Sequence, residues 1–196
     1  MKLLFVLLMT FLLVVPTAGQ TQTLAAAAAS NPDFSTLITL IASADLIGLL
    51  DTTEADLTVF APTNAAFDAV PEEVLAALMS DPALLTRVLT YHVVQGRLSR
   101  EELTLLVSVA SMEMDSVGGE LYGSELTIAS TEDGLSVNAA PLVLYDVEAS
   151  NGIIHVIESV LFPPDIAEMF GLATLEAQAL EVHGTLNPAG LENDAL

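Results

Sequence analysis

Apolar and β-branched residues run almost unbroken from Ile153 to Phe162, with Asn151-Gly152 before them and Pro163-Pro164 after. Asn-Gly suits the positive φ of a tight turn and Pro cannot continue a ladder, so the pattern predicts one extended strand over 153–162. Alternation puts Ile153, His155, Ile157, Ser159 and Leu161 on one face and Ile154, Val156, Glu158, Val160 and Phe162 on the other. Neither face is clearly polar, which predicts a central strand covered on both sides.

Upstream, the spacing is helical. Asn31-Pro32-Asp33 is a cap, a first-turn proline and an acidic residue at the positive end of the dipole, and Phe34, Leu37, Ile38 and Ile41 follow on one face. A second short helix is expected over 43–50. Residues 57–61 read as a strand ended by Pro62, with Thr63 and Asn64 as caps for a helix through Phe67. Pro71-Glu72-Glu73 opens a helix through Met79. Asp81-Pro82 opens another, whose core face is Leu84, Leu85, Val88 and Leu89 and which runs into Tyr91-His92-Val93-Val94. Ser99 to Glu102 is a capping box.

From Ser111 onward short alternating runs take over, at 112–117, 120–122, 125–130, 135–137 and 142–147, with hairpin signals at Gly118-Gly119 and Glu132-Asp133-Gly134. Helices followed by a strand meander predict an α+β domain. Residues 165–180 are expected to be partly helical, with Ile166, Met169, Phe170 and Leu172 packing back, and the acidic stretch from Gly184 reads as disordered. No internal repeat is present.

The first nineteen residues carry Lys2, an apolar run over 3–15 and the small residues of Pro16-Thr17-Ala18-Gly19, as an export signal does. At about 20 Å as a helix, the run falls short of a roughly 30 Å hydrocarbon core, so a cleaved signal is expected rather than an anchor. Residues 20–30 are read as a linker, 31–164 as a single domain and 165–196 as a C-terminal extension. The product is expected to be secreted, or held in the periplasm or envelope where the source has an outer membrane.

Charge narrows the partners. The chain holds 26 Asp and Glu against four Lys and Arg, and once Lys2 leaves with the signal the basic residues are Arg87, Arg97 and Arg100. Such a surface repels phosphate backbones and anionic headgroups, which disfavours nucleic acid and membrane surfaces. Its first consequence is solubility for an apolar exported chain. The absence of Cys excludes thiol catalysis and Cys-based zinc or haem sites.

Three segments together resemble the fasciclin (FAS1) domain family: 58–67 (TVFAPTNAAF), 89–94 (LTYHVV) and 151–163 (NGIIHVIESVLFP). The resemblance covers about 31–164. It implies a β-wedge or sandwich of short strands with several short helices packed at one end, and an extracellular adhesion or interaction role without catalysis. The family's Tyr-His pair corresponds to Tyr91 and His92. In animal members an Asp-Ile dipeptide before the Asn-Gly turn is assigned to integrin recognition, and Asp146 and Val147 stand there; Val departs from that pattern but keeps a β-branched group.

The expected binding residues are therefore Asp146, Val147, Tyr91 and His92. The expected partner is a cell-surface or matrix protein or glycan, with divalent cations as one means of bridging, and the chain is expected to be a monomer. No cofactor and no resident metal are expected, since no EF-hand loop, phosphate-binding Gly loop or Gly-x-Ser-x-Gly occurs. The competing reading is a small-molecule binder or hydrolase that uses His92 or His155 in a cleft. Histidines on apolar faces are more simply explained as satisfied core groups, and His183 lies in the tail.

Overall fold

The computed structural model describes residues 22–52, 56–112, 125–131 and 134–172. Helices α1 (Leu24–Ala29), α2 (Ser35–Ser43, led by a 3-10 turn at Pro32–Phe34) and α3 (Ile47–Asp51) precede β1 (Leu57–Pro62). Then come α4 (Asn64–Asp68), α5 (Glu72–Ser80), α6 (Pro82–Tyr91), β2 (Val93–Gln95) and α7 (Arg100–Leu105). The described residues finish with β3 (Ser108–Ala110), β4 (Glu125–Thr131), β5 (Gly134–Val137), β6 (Ala140–Ala149), β7 (Gly152–Ile157) and α8 (Pro164–Met169). The starts follow capping chemistry: Thr23, Asn31, Thr63, Asp81 and Ser99 each accept a backbone N–H with the side chain, and Ser99 and Glu102 complete the reciprocal box.

The strands form one sheet in the order β2-β1-β7-β6-β5-β4-β3. Among the described residues only β1 and β7 run parallel, from Leu57 beside Gly152 to Pro62 beside Ile157. The two outer strands approach each other: Val94 bridges Ser111, and the Met112 N–H donates to the Val93 carbonyl at 2.7 Å. The sheet is therefore curled into a nearly closed barrel, which removes most of its open edge.

Alternation along β1 and β7 divides the core in two. Leu57, Val59 and Ala61 with Ile154 and Val156 face the helical layer, where they pack with residues such as Leu40, Leu78, Leu85 and Val88. Phe60 and Ile157 face a second core with Tyr91, Leu103, Leu126, Val137 and Leu161. The strand beginning at Gly152 is buried at every position, as expected of a central strand.

Three expectations are corrected. The central strand stops at Ile157 rather than Phe162, because its parallel partner ends at Pro62 and Thr63 N–H closes onto the Ile157 carbonyl. Beyond it Leu161 N–H bonds to His92 instead of to a strand. Residues 20–30 are not a plain linker, since 24–29 form α1, with Leu24 and Ala28 buried in the helical core and Leu24 N–H held by Asn151 Oδ1 at 2.8 Å. An alanine run has the highest helix propensity, and two small anchors one turn apart suffice to seat it. Strand β3 lies where no strand was expected. The runs at 112–117 and 120–122, the Gly118-Gly119 signal, the export signal and everything after Leu172 lie wholly or mostly outside the described residues.

Candidate functional site

The α6 helix delivers Tyr91 and His92 into the interior, not to the surface. They are 1% and 3% exposed, which overturns the expectation that this pair is presented to a partner. His92 caps the C-terminus of α6: Nδ1–H donates to the Val88 carbonyl at 2.7 Å, and Nε2 accepts Leu161 N–H at 2.9 Å. Both ring nitrogens are thus committed to backbone groups, one in the preceding turn and the other 69 residues further along the chain than His92. Burial without a counter-charge lowers its pKa to about 4, against a smaller upward pull from the Val88 carbonyl. The ring is a neutral strut.

Tyr91 stands at the other end of the same link. Its hydroxyl accepts a 2.8 Å bond from Asn138 Nδ2, while Asn138 Oδ1 accepts Thr127 N–H at 2.8 Å. Asn138 and Ala139 both have positive φ, 47° and 65°, and form the tight turn between β5 and β6. Tyr91→Phe is expected to cost about 1 kcal/mol in urea unfolding, because the Asn138 amide loses its acceptor. The circular dichroism spectrum should be unchanged.

His155 is buried on β7, where it stacks on Phe60 and meets Tyr145 edge-on. Nε2–H donates to the Leu98 carbonyl at 2.8 Å, and Nδ1 accepts Asp146 N–H at 3.3 Å. Burial lowers its pKa, opposed by the Leu98 bond and the Asp146 charge. His92 lines two internal voids of about 20 and 10 Å³, no larger than a water molecule, and His155 lines neither. Both ring nitrogens of His92 and of His155 are thus taken up by backbone groups, which does not favour the reading of a histidine-lined cleft for a small molecule or for hydrolysis. Every buried side-chain nitrogen and oxygen among the described residues has a partner.

What His155 supports is Asp146. Between the pairs Leu144–Val156 and Val147–Ile154, β6 advances three residues while β7 advances two, so Tyr145 and Asp146 lie on a bulge. Asp146 has φ 55° and an exposed side chain, whose Oδ1 accepts Arg100 N–H at the start of α7 at 2.8 Å. The Arg100 guanidinium lies 4.5 Å over the Tyr145 ring. Val147 is half-buried against the helical core. Of the four expected binding residues, the structure brings Asp146 and Val147 together on the bulge and keeps Tyr91 and His92 away from solvent. Arg100 and Tyr145, which flank Asp146, were not singled out as site residues from sequence, although Arg100 is one of only three arginines in the chain.

Asn151 is a further residue whose role sequence reading missed beyond its turn preference. Buried at 1% exposure, its amide donates to the Leu50 and Thr52 carbonyls and accepts Leu24 N–H, which joins α1 and α3 to the β6–β7 turn. Among the described residues no group of three or more His, Asp or Glu is placed to hold a metal ion.

A curled mixed sheet under a helical layer, with His92 and His155 bonded to backbone groups and Asp146 on an outer bulge, defines a small α+β domain. The Fasciclin domain family model matches residues 32–163, and the chain belongs to that family. It is 40% identical over 145 residues to Protein sll1483 of Synechocystis sp. (strain ATCC 27184 / PCC 6803 / Kazusa), covering 73% of this chain and 74% of the relative. It is 37% identical over 151 residues to the cell surface glycolipoprotein MPB83 of Mycobacterium bovis (strain ATCC BAA-935 / AF2122/97), covering 75% of this chain and 64% of that one. In fold it is similar to a FAS1 domain pair from the insect cell adhesion molecule Fasciclin I, with a TM-score of 0.58 at 16% identity over 74% of this chain and 52% of the pair.

Proposed function

We propose that the chain is an exported, non-catalytic interaction module of the cell surface or its surroundings, and that the Asp146 bulge is the part it presents. Membership of the fasciclin family and the cell-surface name of one relative support the general role. The observation that carries the assignment of the surface is the bulge itself: an exposed carboxylate on a left-handed backbone, fixed from behind by His155 and from the side by α7. Rigid presentation lowers the ordering cost of binding. The partner is a surface or matrix protein or glycan that offers a cationic or hydrogen-bonding group to Asp146. A divalent cation can bridge only if the partner supplies most of the ligands, since Asp146 has one oxygen engaged by Arg100 N–H.

Asp146→Asn separates charge from structure, because the amide oxygen can still accept Arg100 N–H. Binding of the purified chain to intact cells and envelope fractions of its source should be saturable. It should weaken about fivefold in the variant, as expected for roughly 1 kcal/mol from an exposed ionic contact. Equal affinities for the two proteins would move the binding surface elsewhere on the domain.

A further inference from the structure

Asp146 has no partner in the β6–β7 register, and its N–H is held instead by the imidazole of His155, at 3.3 Å from Nδ1. Nε2–H is fixed on the Leu98 carbonyl at 2.8 Å, so the lone pair of the neutral ring sits on Nδ1. Asp146 is meanwhile kept at φ 55°, a left-handed conformation that costs energy for a residue with a Cβ. A proton on Nδ1 makes that nitrogen a second donor, facing the Asp146 N–H instead of accepting it. The bond that holds the bulge in its strained form is then lost.

The groups around the ring set when this happens. From β6 come Asp146 and Tyr145, whose hydroxyl accepts Leu135 N–H at 3.1 Å, and from α7 comes Arg100, 4.5 Å over the Tyr145 ring. The chain before α7 brings the Leu98 carbonyl, while its Arg97 turns away to the Ala149 carbonyl and Asp56. Phe60 of β1 stacks on the ring, and β7 carries no other titratable side chain. Burial is the largest influence and lowers the pKa from 6.5, whereas the Leu98 bond and the Asp146 charge pull it back up. The ring is therefore neutral at neutral pH and takes up a proton only below pH 6.5, with Asp146 as the carboxylate that attracts it.

We propose that His155 and Asp146 form a pH-sensitive latch on the presented bulge, an inference that rests on the reading of Asp146 as the presented residue. A proton taken from solvent onto Nδ1 releases the Asp146 N–H, the backbone leaves its left-handed form, and the carboxylate turns toward the imidazolium. No covalent bond changes. The carboxylate is offered to a partner near neutral pH and withdrawn in acid, because strain relief, the lost acceptor and charge attraction all act in that direction.

Nuclear magnetic resonance of the isotope-labelled chain, titrated from pH 7.5 to 4.5, reads the latch directly. The amide at position 146 and the His155 ring should move with one midpoint, below 6.5. The amides of Val74 and Leu78, buried on α5, should keep their native positions through it. Asp146→Asn keeps the N–H but removes the charge, so both signals should still move together, at a lower midpoint, with no carboxyl at 146 to confuse them. Binding of the unmodified chain to intact cells of its source should weaken about tenfold one pH unit below the midpoint, when about a tenth of the molecules hold the open bulge. His155→Gln, which does not titrate, should lose that dependence. An amide at 146 that stays fixed while His155 titrates would overturn the latch, as would a ring that stays neutral until the Val74 and Leu78 signals are lost. So would binding that keeps its strength below the midpoint, or weakens equally in His155→Gln. Equal affinities of Asp146→Asn and the unmodified chain at pH 7.5 would strike the surface reading instead, so the two failures are distinguishable.

Discussion

Replacement of Gly152 by Ala is expected to lower the unfolding free energy by at least about 4 kcal/mol, among the largest effects a single methyl group can have. A Cβ at this position would lie 2.0 Å from the Leu57 carbonyl oxygen, 2.9 Å from its carbon and 3.0 Å from Leu24 Cδ1. Ordinary carbon–oxygen contacts are near 3.3 Å, so β7 would have to move away from β1 by more than an ångström. Flexible side chains can turn aside from such a methyl; a paired backbone cannot.

The movement would not stay local. Gly152 pairs with Leu57 on one side and Ala149 on the other, and the neighbouring Asn151 carbonyl accepts Leu57 N–H at 3.1 Å. Displacing that strand end would strain the bonds from Asn151 to Leu50, Thr52 and Leu24, and so loosen α1 and α3 from the sheet. Gly48→Ala is the control of opposite sign: nothing lies within 4 Å of its added Cβ, and the site is inside α3. It should stabilise by about 0.5–1 kcal/mol. Urea unfolding followed by circular dichroism, in a chain that lacks Trp, reads both. A loss of less than about 1 kcal/mol for Gly152→Ala would mean that the strands are free to separate at this point.

Why the Asn-Gly pair was legible in sequence, and other parts were not, comes down to how local each cause is. Caps, first-turn prolines and the capping box act within three or four residues, and Asn31, Thr63, Asp81 and Ser99 start their elements as the sequence pattern predicts. The burial of both faces of β7 follows from its composition. Where the strand ends is a property of its partner: Pro62 terminates β1, and nothing in 153–162 reports that. The seating of α1 depends on Asn151, more than 120 residues away, and β3 exists only because it meets β4 and closes on β2.

The candidate site divides in the same way. Asp146 was reached through family resemblance, and its exposure fits a presented residue, yet neither the bulge nor its left-handed φ has a local signal such as Gly. Tyr91 and His92 look like recognition residues because aromatic and imidazole groups serve at surfaces. Their spacing from Val88 and Leu89 on α6 places them on the buried side, where polar atoms must find backbone partners. A sequence motif can therefore be a requirement of the fold, and here the Tyr-His pair joins α6 to the β5–β6 turn and to the chain after β7.

That role predicts an acid-sensitive fold with a definite sign. In the unfolded chain His92 takes up a proton near pH 6.5, and in the folded domain only near pH 4. Between those values the unfolded state binds more protons, so stability is full above about pH 6.5 and falls as the pH drops toward 4. The slope is about 1.4 kcal/mol per pH unit and the total about 3 kcal/mol. His155, lowered by burial as well, acts in the same direction. Asp165, lowered chiefly by its bond to Arg87, adds a loss of the same sign only at more acidic pH, as its carboxylate is protonated. Protonation of the other carboxylates relieves the repulsion of a chain with net charge −22 and opposes these terms, so the raw profile is a sum. The His92 contribution is isolated by comparison with His92→Gln, whose amide can donate to Val88 and accept from Leu161 but does not titrate. The variant should be about 1–3 kcal/mol less stable at pH 7.5 from imperfect geometry, and its stability should fall less steeply by up to one proton's worth between pH 6.5 and 4.5. The two curves should therefore converge toward pH 4. Parallel curves would mean that His92 titrates in the folded domain as it does in the unfolded chain, and that the imidazole reaches solvent or a counter-charge in the native state.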